Sequence, residues 1–446
     1  MSDLRRPIRT LVALTASAMM TSPALSQATV PFPPIGGLIE RGADFEPVPS
    51  AKPSIVESFA SQCVLPHPEL AWAALPRHLR EVPLRQMIGQ LLVVSFSGKT
   101  ADSAGVALAA DALAASEIGG VLYFRHNVGT AEDVRAINAR LLAASPDLPP
   151  MIAIDQEGGA VMRLKPSEGA PDTPSARDVA QTPPDTARET YDAMAESLAS
   201  AGFTANFGPV VDLDLNPDNP VISRFGRAYG ADPQTVVDYG EAFVDAHRDA
   251  GVATALKHFP GHGSSTDDSH DGATDLTPTW SRKEMIPFRD MIVDRKADMI
   301  MIGHLELDGL SGPDGWPASL SPNAIDRFLR DTLCYDGLVV SDDLSMDAVS
   351  SHWNAIEATK QMVRAGGDIA LLSLSADKGA AAVREILDAL EAEAAASPDF
   401  EDRIRYAYAR IVHHKLDLME ARAVSEAAPA GIPTRWAQAT PGSLPR

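Results

Sequence analysis

The chain has 446 residues, 45% hydrophobic and 22% charged, the proportions of a globular protein able to bury at least one large core. Sixty acidic against 38 basic residues leave a net charge of −22, which excludes a general nucleic-acid role because phosphate contacts need a basic surface. Two cysteines, Cys63 and Cys334, are too few for a disulfide scaffold or a Cys-based zinc site; a bond between them and two free thiols both stay open.

At the start, Arg5, Arg6 and Arg9 precede the short apolar run LVALTASAMM and small residues at Ala24 and Ser26. This predicts a signal peptide over 1–26 and a periplasmic or secreted protein, with the residues after the paired arginines fitting the twin-arginine route poorly. The run is too short for a permanent span and no later stretch reaches 18 apolar residues, so no integral membrane segment is expected after cleavage. Residues 27–83, with PFPPIGG and FEPVPSAKPS, read as a Pro-rich extended arm.

From Leu84 the pattern becomes regular. Apolar runs of strand length occur at 90–98, 119–124, 151–158, 203–214, 252–259, 297–304, 337–344 and 367–374. Their unbroken apolar character fits strands buried on both faces. Helical stretches separate them. TAEDVRAINARLLAAS opens on Thr130 and Asp133 in capping-box positions, and DPQTVVDYGEAFVDAHRDAG aligns Val236, Tyr239, Phe243 and Val244 before stopping at Gly251. DKGAAAVREILDALEAEAAA follows the last strand. The alternation predicts a (β/α)8 TIM-type barrel over 84–420, a single catalytic domain. An open doubly wound sheet is the competing architecture, and no GxGxxG follows the first strand to support it. Residues 421–446 read as a disordered tail.

In such a barrel, chemistry sits at the C-terminal ends of strands. Here those ends carry DQEGG (155–159), DLDLNP, KHFPGHGSSTDDSHD (257–271), His304 and SDDLS (341–345). The fifteen-residue stretch could hold a metal, move a proton or decorate a loop. His258 and His262 are four apart, but Pro260, Gly261 and Gly263 preclude the helix that would align them, so no metal and no cofactor are expected. Proton transfer fits better: Asp268, two residues before His270, can orient the imidazole and favour its charged form. Asp342 across the rim can attack as a carboxylate, and a carboxylate with a separate acid/base is the machinery of a retaining glycosidase.

At these residues the sequence resembles glycoside hydrolase family 3, in its β-N-acetylglucosaminidase (β-N-acetylhexosaminidase) branch. The resemblance spans about Leu84 to Leu418 and rests on IDQEGG followed by Arg163, KHFPGHG followed by DSH, PASLSP and GLVVSDDLSM, with LYFRHN in support. It implies Asp342 as nucleophile, His270 as acid/base and Asp268 as its dyad partner. Asp155, Arg163, Arg227, Lys257 and His258 occupy positions resembling the family's sugar-binding residues, while His262 reads as structural. It further implies a single-domain enzyme, expected as a monomer, releasing N-acetylglucosamine from peptidoglycan-derived or chitin-like oligosaccharides. A β-glucosidase, an N-acetylglucosaminide phosphorylase and a non-catalytic glycan-binding protein are the alternatives. The chain departs from the pattern at Ala160 and Met162, at Ser265 in place of the usual Thr, and in NPVISRFGRAYG, where Arg224 competes with Arg227 for the sugar.

Overall fold

Eight parallel strands close on one another in a computed structural model that describes residues 65, 68–145, 147–270, 272–312, 315–374 and 379–427. They are β1 (Leu92–Ser95), β2 (Gly120–Tyr123), β3 (Met151–Ile154), β4 (Ala205–Asn206), β5 (Ala253–Phe259), β6 (Met299–Ile302), β7 (Leu338–Asp343) and β8 (Ile369–Leu372). Each pairs with its neighbour in sequence, and β1 pairs with β8 to seal the ring, Val93 opposite Leu371. The chain is thus an α/β barrel of the TIM type. Every predicted run contains one strand of the barrel.

The runs are apolar because strand residues face either the packed barrel interior or the helices outside, and both are dry. Val93, Val121, Ile152, Ala205, Ala255, Ile300, Val340 and Ala370 are all buried. β4 is the shortest. The expected strand over 203–214 pairs only at Ala205–Asn206, because Pro209 has no N–H for a ladder; pairing resumes as a single bridge between Val210 and Lys257. The helix Ala131–Ala144 opens on the expected capping box, with Thr130 and Asp133 exchanging side-chain and backbone bonds. The helix Pro233–Asp249 buries Val236, Val237, Phe243 and Val244, and Gly251 follows it at φ 71°.

Within the stretch expected as an extended arm, Pro68–Ala74, Arg77–Arg80 and Leu84–Gln90 are helical; the last of these begins one residue past it. Proline there sits at or just before the first helical residue, where its missing N–H costs no intrahelical bond. Trp72 packs on Tyr408, and the Tyr408 hydroxyl donates to Leu79 O at 2.8 Å. Tyr408 lies on the final helix, Pro398–Ala427, which runs seven residues into the expected tail. This helix crosses the N-terminal end of the barrel: Lys415 Nζ donates to Gln90 Oε1 at 2.7 Å and Gly119 O at 2.8 Å, and Arg422 binds the carbonyls of Phe203 and Gly251.

The expected signal, the arm up to residue 64, Cys63 and the tail beyond 427 lie outside the described residues. Cys334 is disulfide-bonded. Among the described residues no helix is long and apolar enough to cross a membrane.

Candidate active site

The C-terminal mouth of the barrel gathers the polar residues, and local backbone irregularities aim them. A short hairpin, Gln156–Gly158 with Val161–Met162, follows β3 and returns Arg163 alongside Asp155, at 3.2 Å between Nη2 and Oδ2. Gly158 and Gly159 form its turn at φ 108° and 56°, and a side chain at Gly158 would meet Pro174 O at 2.3 Å. On β5 the register slips between Leu256 and Phe259, and on β7 between Val340 and Asp343. Such bulges re-aim side chains at the ends of strands, and here they fall on Lys257–His258 and Ser341–Asp342.

One side of the mouth is a buried ionic net. Lys257 Nζ lies 2.8 Å from Asp155 Oδ1 and 2.7 Å from Glu157 Oε1. Arg227 binds Glu157 through two nitrogens, both at 2.8 Å. Burial alone would favour neutral acids, but Arg227 and Lys257 hold Glu157 well below the usual carboxylate range, and Lys257 and Arg163 hold Asp155 below it. The same partners raise Lys257 and Arg227 against the opposing effect of burial, so all four stay charged. His258 Nδ1 sits 2.7 Å from Asp212 Oδ2, and its Nε2 lies 3.4 Å from Arg227. Arg224, the competitor to Arg227, is exposed and covers the ring of Phe225 instead.

The facing side holds Asp342, with some solvent access at the end of β7. Burial works to raise its carboxyl, but the His304 and His258 rings, the N–H of Asp343 and the His270 ring together lower it below its ordinary value. It is therefore ionised at neutral pH, as a nucleophile must be. Asp343 differs: its Oδ1 accepts the N–H groups of Ser345 and Ser373, both at 2.9 Å, and so secures the backbone. His304 spans Ser319 Oγ at 2.7 Å and Asp343 O at 2.8 Å, and burial lowers its ring below the ordinary histidine value.

Between the two sides rises the loop after β5. His270 Nδ1 binds Asp268 Oδ1 at 2.7 Å, leaving Nε2 outward, and the ring is 61% exposed. Among the described residues its hydrogen-bond partner is Asp268, not Asp342, yet its charge acts on both Asp342 and His304. The loop is tied down beyond this point by Thr274–Asp275, which pairs with Leu305–Glu306 after β6. Among the described residues no group of three or more His, Cys, Asp or Glu is arranged to hold a metal ion. The His258 and His262 rings stand 5.9 Å apart at 82°, each bound to other partners.

The structure thus brings Asp155, Arg163, Arg227, Lys257 and His258 into one network and sets Asp342 across from it, with Asp268 and His270 on the loop above. Two members of the mouth, Glu157 and Asp212, were not singled out from sequence, and His304 was noted at its strand end without a role. Glu157 was visible inside DQEGG, but only the fold reveals that it bridges a lysine a hundred residues away and an arginine on another loop. Two further cavities lie elsewhere, one beneath the barrel beside Met151 and Lys415, the other outside β1 beside Leu108 and Val383.

A parallel barrel whose C-terminal mouth opposes an ionised carboxylate to a cluster of cations and carboxylates is built as an enzyme for a polar, hydroxyl-rich substrate. Residues 83–407 match the glycosyl hydrolase family 3 N-terminal domain, and the chain belongs to that family as a glycoside hydrolase. It is 36% identical over 324 residues to β-hexosaminidase LpqI of Mycobacterium tuberculosis, covering 69% of this chain and 76% of that protein. To β-hexosaminidase A of Pseudoalteromonas piscicida it is 33% identical over 328 residues, covering 66% and 54%. A solved family 3 β-N-acetylglucosaminidase from Paenibacillus sp. superposes with a TM-score of 0.67 at 33% identity, over 79% of this chain and 64% of that one. The structure of LpqI gives 0.64 at 32% identity, over 79% and 97%.

Proposed function

We propose that the chain is a retaining β-N-acetylhexosaminidase that removes non-reducing terminal N-acetylglucosamine from peptidoglycan-derived or chitin-like oligosaccharides outside the cytosol. The observation that carries this reading is the ionised Asp342 at the bulged end of β7, opposed across one mouth by the ionic net and overlooked by the Asp268–His270 pair. The names of the relatives point to the same class of substrate.

In this reading Asp155, Lys257, Arg227 and His258 take the hydroxyls of the terminal sugar. Arg163 Nε, buried without a hydrogen-bond partner among the described residues, supplies a further donor. A sugar held there presents its anomeric carbon towards β7. Asp342 attacks that carbon while His270 Nε2 gives its proton to the glycosidic oxygen, the C–O bond breaks, and the aglycone leaves as an alcohol. Burial works to raise Asp268, but the hydrogen bonds and charge of His270 together hold it below its ordinary value, and it steadies the imidazolium. The neutral imidazole then takes a proton from water, which attacks the anomeric carbon and frees Asp342 with net retention.

The experiment is a panel of N-acetylglucosamine-capped glycans and matching glucosides, with and without inorganic phosphate, followed by NMR of the first-formed anomer. Release of β-N-acetylglucosamine independent of phosphate supports the proposal. A phosphorylated sugar product, preference for glucosides, or binding without turnover would each replace it.

A further inference from the structure

The loop after β5 contains a histidine that the chemistry above does not use. His262 is 1% exposed and spends both ring nitrogens on its own loop: Nδ1 lies 2.8 Å from Ser265 Oγ, and Nε2 lies 3.1 Å from Ser269 Oγ. The direction of these bonds follows from their neighbours. Ser265 Oγ donates its proton to Asp267 O at 3.2 Å and accepts from Asn219 Nδ2 at 3.0 Å, so towards His262 it is an acceptor. Nδ1 therefore carries the ring proton, and Nε2 accepts from the Ser269 hydroxyl. Burial lowers the ring to about 4, which keeps this one-donor, one-acceptor form throughout the neutral range.

The main chain that carries this imidazole is itself anchored from behind through its backbone N–H groups. Asp212 Oδ1 accepts the His262 N–H at 2.8 Å while Oδ2 holds the His258 ring. Glu284 Oε2 accepts the N–H groups of Gly263 and Ser264 at 3.0 and 3.2 Å. A side chain at Gly263 would come within 1.7 Å of Leu213 O, so the chain can lie in this bed only as glycine. Ser269 separates Asp268 from His270. It is 2% exposed, whereas the His270 side chain is 61% exposed.

We infer that His262 is the positioning residue of the acid/base loop: by gripping Ser269 from the buried floor it sets the direction in which Asp268 and His270 face the cleft. This rests on the role proposed above for His270. A staple that only stabilised the fold would affect every substrate alike. A positioning residue affects most those reactions in which the leaving group must receive a proton.

The test uses the full chain and kcat/KM, which reports formation of the glycosyl-enzyme. One substrate is an N-acetylglucosamine disaccharide, whose leaving sugar needs a proton; the other is 2,4-dinitrophenyl N-acetylglucosaminide, whose leaving group does not. Ser269→Ala and His262→Asn remove the grip on position 269. Each is expected to slow the disaccharide about 10-fold or more and the aryl glycoside less than about 3-fold, a fraction of the full acid contribution. His262→Gln, which places an amide where Nε2 lies, recovers most of the loss. Equal losses on both substrates, or no loss in Ser269→Ala, overturn the positioning role. His270→Ala separates the two ideas. If it leaves the disaccharide unaffected, the dyad reading and this inference fall together; if it slows the disaccharide while Ser269→Ala does not, only this inference falls.

Discussion

The two sides of the barrel mouth are built differently. On the β3–β5 side, Asp155, Glu157, Lys257 and Arg227 are already locked in mutual ion pairs, with Lys257 and Glu157 almost fully buried. Towards the β7 side, the groups proposed to move protons stand on the loop after β5 with His270 largely in solvent. The difference separates two tasks. In the proposed function a sugar would meet charges that need no reorganisation when it arrives, whereas the proton donor would have to reach a bond that exists only once the sugar is seated.

Substitutions test that division, the most severe first. Asp342→Ala removes the carboxylate proposed to attack and is expected to lower kcat on an aryl N-acetylglucosaminide by about 10³-fold or more, with partial rescue by azide. Wild-type turnover would reassign the whole β7 side. Glu157→Ala strips the common partner from Lys257 and Arg227, and losing one member of a buried ion pair typically costs about 3–5 kcal/mol. Urea unfolding should shift by an amount of that order, and KM should rise. A variant with unchanged stability and raised KM would show that the net serves the ligand alone.

Titration sharpens the same contrast. Asp155 and Glu157 are held below their ordinary values of 3.8 and 4.5, so in acid the unfolded chain takes up protons before the native one. Their contribution to stability is present above about pH 4.5 and is lost as pH falls below it. Glu284, under the loop, behaves oppositely, because burial raises it from 4.5 to about 7. Its contribution is complete below about pH 4.5 and is lost as pH climbs through 7. Glu284→Gln should therefore raise Tm relative to wild type more at pH 8 than at pH 5; an equal change at both would show that its ionisation is not linked to folding. The smallest effect is expected for Arg224→Ala. This exposed residue lies off the ionic net, and the change should alter kcat/KM less than about 2-fold.

Much of the fold was legible because a TIM-type barrel writes itself as eight apolar runs with helices between, and each run did contain a strand. β4 resisted, since Phe203 to Asp214 has strand composition but Pro209 interrupts its ladder. The helices at 68–80 were read as extended because prolines are dense there. Their helicity depends on contacts with Tyr408 and its neighbours more than three hundred residues later. Position at the mouth was legible where a motif placed a side chain at a strand end, as at Asp342 and Lys257, or on the loop that follows one, as at His270. The site was illegible where a residue matters through what it touches: Glu157, Asp212 and His304 sit in or beside motifs, and nothing in their spacing discloses their partners.

The helix across the underside of the barrel has a consequence for how the molecule comes into being. Lys415, buried and lowered to about 7, has its ammonium hydrogen-bonded to Gln90, 325 residues earlier, and to the carbonyl that precedes β2. During synthesis the first strands leave the ribosome long before this lysine exists, and β1 must also wait for β8. The pairings that close the ring and cap its underside can therefore form only after almost the whole barrel has been made, so the early strands are expected to have an unpaired edge until then.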